Sequence, residues 1–285
     1  MCIRDRTLSG TLLCALAALF LPAPPLAIAQ VESDPDVVRI LAYNIKHGLG
    51  MDGKVDLERV ASVIRSVEPD VVTLQEIDSV TARTGLEDQA TRLGELTGMQ
   101  AMFGGFMDYR GGRYGMALLS RYPVVEWENH RLPDGAEPRS ALAARVELLK
   151  PGYGQGPQVV VVGVHLYADA EERLAQAARL VELFADETAP VVLAGDFNSI
   201  PDSKVIRLLE DAGGWRRPAK EGQAFTFPSE APDREIDFIL FRPGSRFAVR
   251  EHRVVEETVA SDHRPVLLEL ELLPAEPNAP LERAP

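Results

Sequence analysis

The strongest constraint on the fold is a series of short apolar segments that end in polar residues. Val37–Tyr43 is followed directly by Asn44, and Val191–Ala194 is followed, after one glycine, by Asp196. Short runs rich in Val, Ile and Leu are typical of buried strands. These runs must be buried, so the sequence predicts strands that form the core of the fold.

Helical patterns separate some of these strands. Leu57, Val60, Ala61 and Ile64 recur at helical spacing behind Asp56, a predicted N-cap. Further helices are predicted over Gln89–Leu96, along the face marked by Leu174, Ala177, Val181 and Phe184, and over Lys204–Leu209. The other strands are predicted at Val71–Gln75, Met102–Phe106, Met116–Ser120, Val124–Leu132, Leu142–Leu149, Val159–Leu166, Ile236–Phe241, Phe247–Val254 and Val266–Leu272. Strands joined sometimes by turns and sometimes by helices predict an α/β (α+β) chain with mixed sheets.

The ends of the chain differ from its centre. Residues 1–29 combine two arginines, an apolar stretch and the small-residue sequence Ala27-Ile28-Ala29, which predicts a cleaved secretory signal peptide. The alternative is a buried N-terminal helix. We expect residues 30–36 to be a linker, 37–273 to be one domain and 274–285 to be a Pro-rich tail. The apolar stretch is too short and too interrupted by proline to cross a membrane, so we expect an exported, periplasmic or extracellular protein.

Cysteine usage and charge narrow the function. Cys2 and Cys14 both lie in the predicted signal peptide, so the mature chain would have neither thiol catalysis nor a Cys-based zinc site. The formal net charge of −13 argues against a surface that wraps a long nucleic acid, because each phosphate contact favours a cation. It permits a small phosphorylated substrate held through a metal ion.

Polar residues gather at the ends of the predicted strands. Glu76 follows Val71–Gln75, and His165 follows a run of valines. Asp196 and Asn198 flank Phe197, so an extended backbone would point both to one side. Side chains at these positions would converge on one rim of the sheets. Taken singly, each has a structural alternative: a strand end, a core histidine or a capped turn.

The full set of motifs is more specific than its parts. It comprises Asn44, Leu74-Gln75-Glu76, Val164-His165-Leu166, Gly195-Asp196-Phe197-Asn198, Ile236-Asp237 and Ser261-Asp262-His263. In this order they resemble the endonuclease/exonuclease/phosphatase superfamily, with its DNase I-like fold, and in particular its compact bacterial secreted members. The resemblance implies a four-layer sandwich of two packed, mixed or antiparallel β-sheets flanked by helices.

The same resemblance implies roles for individual residues. Asn44, Glu76 and Asp262 would hold Mg²⁺ or Mn²⁺. The implied catalytic residues are His165, Asp196, Asn198, Asp237 and His263. His263 would be the general base or the phosphate-binding imidazole, oriented by Asp237, while Asp196 and Asn198 would position water and a phosphate oxygen. His165 would contact the phosphate or protonate the leaving oxygen.

Other residues are weaker candidates. Arg83, Arg113 and Arg139 lie in Gly-rich or Pro-flanked loops and are expected either to contact substrate phosphate or to be solvated surface charges. Tyr109 and Tyr114 would stack on a substrate ring or pack at the rim. We expect His47, His130 and His252 to be structural or surface residues.

Together these features predict a secreted, Mg²⁺-dependent phosphoric ester hydrolase. We expect a phosphodiesterase that hydrolyses a small or lipid-derived phosphoester and acts as a monomer. The alternative is an extracellular nuclease, which the scarcity of basic clusters does not favour, since only Arg216-Arg217 and Lys220 form a dense basic spot. A third hypothesis is a non-catalytic binding protein with the same fold.

Overall fold

A computed structural model describes residues 37–148 and 156–274 of the chain. The predicted signal peptide and linker, and the predicted tail from residue 275 onward, lie outside the described residues. Among the described helices, none is long and apolar enough to cross a membrane.

Eleven strands of the described chain form two sheets. The first sheet has the order β10-β11-β1-β2-β4-β3 and the second has the order β5-β6-β7-β8-β9. The strands of the first sheet are β1 (Val37–Asn44), β2 (Val71–Ser79), β3 (Gln100–Tyr109), β4 (Gly112–Ser120), β10 (Phe247–Val254) and β11 (Val266–Leu272). Those of the second are β5 (Val124–Arg131), β6 (Ser140–Glu147), β7 (Gln158–His165), β8 (Val191–Asp196) and β9 (Asp237–Arg242). The pairs β1–β2 and β7–β8 are parallel, and the other pairs are antiparallel. The prediction of mixed sheets is confirmed.

Within the described residues, four α-helices lie outside the sheets, and each begins at a capping side chain. They are α1 (Leu57–Ser66), α2 (Gln89–Thr97), α3 (Ala170–Leu183) and α4 (Lys204–Gly213). The Asp56 carboxylate accepts a hydrogen bond from the Arg59 N–H, as its sequence position predicts. Asp88, Asp169 and Ser203 cap the other three helices in the same way, because their side-chain oxygens satisfy free backbone N–H groups of the first turn.

The apolar core has three parts, which define four layers. Alternate residues of each inner strand face opposite sides. Ile40 packs between the two sheets, against residues such as Val161, whereas its neighbour Leu41 packs outward beside Val60 of α1. A third cluster joins the outer face of the second sheet to α3 and α4. The order helix, sheet, sheet, helix confirms the predicted four-layer sandwich.

The pairing brings several strand ends to one edge. The carboxyl end of β8 pairs with the amino end of β9 through Asp196 and Asp237, and the carboxyl end of β1 lies beside the start of β11. The two sheets also touch there, since the Thr73 hydroxyl on β2 donates to the Ala194 carbonyl on β8 at 3.3 Å. Polar residues that are far apart in sequence therefore meet at this edge.

Candidate active site

The two sheets share a hydrogen-bonded contact at this edge. Asn44, the last residue of β1, donates its side-chain N–H groups to Glu76 Oε1 at 3.3 Å and to Asp196 Oδ2 at 3.1 Å. Glu76 belongs to the first sheet and Asp196 to the second. Asn44 and Asp196 are almost fully buried. The predicted metal residues and the predicted catalytic residues are therefore neighbours.

The backbone at Glu76 is irregular. The register between β2 and β4 shifts between Leu74 and Ile77, and Glu76 has a φ of 60°. A bulge of this kind re-aims a side chain, and a left-handed backbone at a non-glycine residue is strained. Burial raises the pKa of the Glu76 carboxyl, and the nearby carboxylates of Asp262 and Asp196 raise it further. The chain thus holds Glu76 in a conformation and an environment that both cost free energy.

His263 and Asp237 form a buried pair. His263 Nδ1 lies 3.0 Å from Asp237 Oδ2 and 3.2 Å from Asp237 Oδ1, and its Nε2 lies 3.8 Å from Asp196 Oδ2. Burial alone would lower the pKa of His263, but the carboxylates of Asp237, Asp196 and Asp262 outweigh it and raise the pKa to about 10. The pairing fixes the ring, with Nδ1 turned to Asp237 and Nε2 turned into the site.

Asp196 is surrounded by polar groups of the site. Burial and the Asp237 carboxylate raise its pKa, while His263 and His165 oppose this rise. His165 Nε2 lies 3.5 Å from Asp196 Oδ2. Burial lowers the pKa of His165 to about 4, and Arg139 and His263 contribute in the same direction. Within the described part of the chain, His165 Nδ1 has no hydrogen-bond partner.

Asn198 reaches the site differently from the sequence argument. Strand β8 ends at Asp196, and Asn198 adopts a left-handed backbone with a φ of 47°. Its backbone N–H donates to Asp196 Oδ1 at 2.8 Å, and its side-chain N–H donates to the Leu166 carbonyl at 2.8 Å. Asn198 is therefore near Asp196 because of a turn, which contradicts the expected extended backbone.

Asp262 is fixed by two neighbours. The Lys46 ammonium lies 2.8 Å from Asp262 Oδ2. The hydroxyl of the adjacent, fully buried Ser261 donates to the Asn44 carbonyl at 2.7 Å, which ties this loop to the end of β1. Lys46 was not among the sequence-predicted site residues, although its position two residues after Asn44 was the available signal.

His47 also lies at the site, beside Glu76. Its Nδ1 is 4.0 Å from Glu76 Oε2 and, in the described chain, has no hydrogen-bond partner. Burial lowers the pKa of His47 to about 4, and the charge of Arg83 adds to this effect. Sequence analysis expected a structural or surface residue here. The structure leaves that expectation incomplete, because the imidazole faces a predicted metal ligand.

The other two histidines are elsewhere. His252 is buried, and its Nδ1 lies 3.1 Å from the Pro218 carbonyl. His130 lies 3.3 Å from Glu128 and packs edge-on against Phe184. Both fit the expectation of structural or surface residues.

Two of the three predicted substrate arginines border the site. Arg83 makes a two-point contact with the buried Asp78 carboxylate, at 2.7 Å for each bond, and its guanidinium lies 4.6 Å from the Tyr109 ring centre and 5.4 Å from that of Tyr114. Arg139 is 5% exposed and lies over the rings of Phe106 and Tyr167. Burial raises the pKa of Tyr114 and the Glu76 carboxylate adds to it, whereas Arg139 and Arg83 oppose it. These residues form one aromatic and guanidinium wall beside Glu76 and His165.

Arg113 differs from the other two. Its guanidinium donates to the Gly105 carbonyl at 3.0 Å and lies 6.0 Å from the Phe103 ring centre. Across residues 37–148 and 156–274, no hydrogen bond or ion pair joins it to the carboxylates of the site. Its predicted role in substrate binding gains no support from these contacts.

The residues at this edge fit a hard divalent cation. Four carboxylates, those of Glu76, Asp196, Asp237 and Asp262, face the cationic groups of Lys46 and His263. Asp196, Asp237 and His263 offer three ligand atoms within 4.8 Å of one another. Glu76, Asn44 and Asp262 offer oxygen donors, which Mg²⁺ and Mn²⁺ favour. Burial, and after it the carboxylates of Asp262 and Asp196, raise the pKa of Glu76, and a bound cation would favour the ionised carboxylate.

Comparison with known proteins agrees with this architecture. A family model described as the Endonuclease/Exonuclease/phosphatase family matches residues 41–263. The uncharacterized protein YbhP of Escherichia coli strain K12 is 29% identical over 252 residues, which cover 82% of this chain and 96% of YbhP.

Solved structures share the fold. An endonuclease/exonuclease/phosphatase from Beutenbergia cavernae superposes with a TM-score of 0.66 at 26% identity, covering 83% of this chain and 72% of that one. The mannosyl-6-phosphatase Bt3783 of Bacteroides thetaiotaomicron gives a TM-score of 0.67 at 18% identity, covering 82% of this chain and 99% of its own. At that identity, the second likeness concerns the fold alone.

Proposed function

Because the chain belongs to the endonuclease/exonuclease/phosphatase family, we propose that it is a secreted, Mg²⁺- or Mn²⁺-dependent phosphodiesterase that hydrolyses a small or lipid-derived phosphoester. The observation that carries the proposal is the meeting of Glu76 and Asn44 from one sheet with Asp196 from the other, next to the Asp237–His263 pair. Export rests on the sequence of residues 1–29 and stays a prediction.

The proposed reaction is the attack of a water molecule on phosphorus, with release of an alcohol. Glu76, Asn44 and Asp262 would hold a divalent cation, which would supply stabilisation of negative charge during the reaction. Asp196 lies between His165 and His263, so its carboxylate can orient the attacking water and accept a proton from it. Asn198 supports this position by donating its backbone N–H to Asp196.

The two histidines would contact the substrate. Nε2 of His263 faces the site while Nδ1 remains bound to Asp237, which favours the phosphate-binding role over the role of general base. Nε2 of His165 lies near the same Asp196 oxygen, at 3.5 Å, and would donate to a phosphate oxygen or to the leaving oxygen. Arg139 and Arg83, on the wall beside them, would meet the remainder of the substrate.

Burial and ion pairing reduce the positive charge that the basic spot, Arg216-Arg217 and Lys220, can offer to a nucleic acid. The Lys220 side chain is fully buried, donates to the Asp237 carbonyl at 2.9 Å and pairs with Glu235. Arg217 pairs with Glu210 at 3.0 Å. Lys220 is therefore not available to a phosphate backbone and Arg217 is paired, so that Arg216 is the exposed cation left in this spot, which supports a small substrate over a long nucleic acid.

The test is hydrolysis of bis(p-nitrophenyl) phosphate and p-nitrophenyl phosphate by the purified chain. Turnover should require Mg²⁺ or Mn²⁺, stop with EDTA and favour the diester. A folded, metal-binding chain that leaves both compounds, duplex DNA and phospholipids intact would support the non-catalytic binding protein instead. Preferred cleavage of DNA would support the nuclease.

A further inference from the structure

Lys46 and His47, the second and third residues after Asn44, have a strained backbone. Lys46 has a φ of 48° and His47 a φ of 46°, in the left-handed region that few non-glycine residues adopt, and that histidine adopts more often than lysine. The turn is held by backbone hydrogen bonds from Gly48 to Ile45 and from Leu49 to Lys46, each at 2.8 Å. Strain of this kind is concentrated at functional sites, where it sets the direction of a side chain.

A second element fixes His47 from the other side. Gln89, the first residue of α2, is fully buried and donates its side-chain N–H to the His47 carbonyl at 2.8 Å. Its side-chain oxygen accepts a hydrogen bond from the Asp78 N–H at 3.0 Å. The imidazole is thus carried on a backbone that is tied to both β2 and α2.

The position of the imidazole is unusual for a packing residue. Nδ1 is inaccessible to solvent and has no hydrogen-bond partner within the described residues. It lies 4.0 Å from Glu76 Oε2. Buried polar atoms in native proteins are almost always satisfied, so an unpaired one requires an explanation. Two donors that bind one metal ion from opposite sides, each at about 2.0–2.2 Å, are themselves separated by about 4 Å.

We infer that His47 is a further ligand of the metal ion at Glu76, and that its nitrogen makes this site select transition metals such as Co²⁺ over Mg²⁺. The inference rests on the proposed function, since it assumes a metal ion at Glu76. Imidazole nitrogen binds later first-row metals better than it binds Mg²⁺, which favours oxygen ligands. The other groups at this position, Asn44 and Asp262, offer oxygen only.

The test compares the wild-type chain with His47→Asn. Asparagine tolerates the left-handed backbone, so this variant removes the imidazole while keeping the turn. His130→Asn is the matched control, because His130 lies elsewhere, beside Glu128 and Phe184. Calorimetric titration with Co²⁺ and with Mg²⁺ gives both affinities, and the visible spectrum of bound Co²⁺ reports its ligands.

We expect His47→Asn to lower the Co²⁺ affinity by at least about tenfold. Even residues that only hydrogen-bond a metal ligand reduce metal affinity by about 10- to 100-fold when they are replaced, and a direct ligand should have no smaller effect. The Mg²⁺ affinity of this variant should change much less. The visible spectrum of its bound Co²⁺ should differ from that of the wild type, because one ligand is lost. An unchanged ratio of the two affinities, together with an unchanged spectrum, would overturn the inference. So would Co²⁺ binding that survives Glu76→Gln, because the ion would then lie elsewhere.

Failure of the proposed function has a different signature. A chain that binds Co²⁺ through His47 but hydrolyses no phosphoester would keep the metal site and lose the enzymatic proposal. If the chain hydrolyses the diester with Mg²⁺ and the His47→Asn variant has the same metal selectivity, the proposed function stands and the inference about His47 is wrong.

Discussion

The side chains of His263 and Asp237 meet at 3.0 Å between Nδ1 and Oδ2, across the boundary between the two sheets. His263 precedes β11 of the first sheet, while Asp237 begins β9 of the second. The pair therefore depends on the docking of the two sheets as well as on its own hydrogen bond.

Replacing Asp237 with asparagine should remove activity and leave the fold intact. The backbone of Asp237 keeps its bonds to Thr226 and Lys220, so the fold should be kept, but the free energy of unfolding should fall because the buried His263 loses its charged partner. The ring of His263 loses its charged partner and its fixed direction, and we expect the diester kcat/KM to fall by about 10²–10³-fold, the range for loss of one group that stabilises charge in the transition state. Asp233→Asn, at an exposed ion pair with Arg234, is the control. Activity within a few-fold of wild type would argue against the pair.

Replacing Glu76 with glutamine should stabilise the metal-free chain and abolish its response to metal. The wild-type carboxylate is buried beside Asp262 and Asp196, and the neutral amide avoids that repulsion. Mg²⁺ at a hundred times its Kd should add about 2.7 kcal/mol to the free energy of unfolding of the wild type. Thermal unfolding with and without Mg²⁺ measures both effects, with the exposed Glu128→Gln as control. An equal Mg²⁺ response in Glu76→Gln would place the ion elsewhere.

Much of this architecture was predictable from the sequence. The apolar runs gave the strands, because a buried strand must be apolar, and Asp56 marked the start of α1. Glu76, His165 and Asp196 were predictable because a carboxylate or imidazole next to a buried strand needs a reason to be there. The pairing of Asp237 with His263 came from the family resemblance.

The rest depended on tertiary contacts. Histidine is enriched in the left-handed region but lysine is not, and two such residues in a row are not predicted by residue type, so their direction into the site could not be foreseen. Lys220 was expected in a basic surface spot, yet its methylene stem and ammonium are buried over the Phe238 ring. Asn198 lies at the site through a turn that strand periodicity cannot describe.

Gly195 should tolerate no side chain. It has a φ of 148°, and a Cβ atom there would lie 2.0 Å from the Val164 carbonyl oxygen and 2.9 Å from Gln75 Nε2. Gly53 is a matched control, since its φ is 75° but a Cβ atom would meet nothing within 4 Å. We expect Gly53→Ala to cost about 1–2 kcal/mol from backbone strain alone. Gly195→Ala should cost at least about 2 kcal/mol more, from overpacking. Urea unfolding measures the free energy of unfolding of both variants. Equal losses in the two variants would contradict the close approach of Gly195 to the Val164 carbonyl.

His252 should make the protein less stable in acid. Burial, and secondarily the charge of Lys220, lower its pKa to about 3 in the folded chain. The unfolded chain, with a histidine pKa of about 6.5, binds a proton that the folded chain refuses. Stability from this group therefore falls as the pH drops from about 6.5 toward 3, by up to about 1.4 kcal/mol per pH unit.

Urea unfolding between about pH 6 and pH 4 measures this slope. His252→Gln should lower the free energy of unfolding at neutral pH but flatten its dependence on pH, whereas His130→Gln should leave the slope unchanged. A variant as acid-sensitive as the wild type would assign the effect to other groups.

The hydrogen bond from Thr73 to Ala194 joins the two sheets directly behind Asn44 and Asp196. A chain with formed sheets that had not yet docked would keep its helices and strands, yet hold the two halves of the site apart. During refolding, enzymatic activity would then return later than secondary structure, and its return would report that the two sheets have docked.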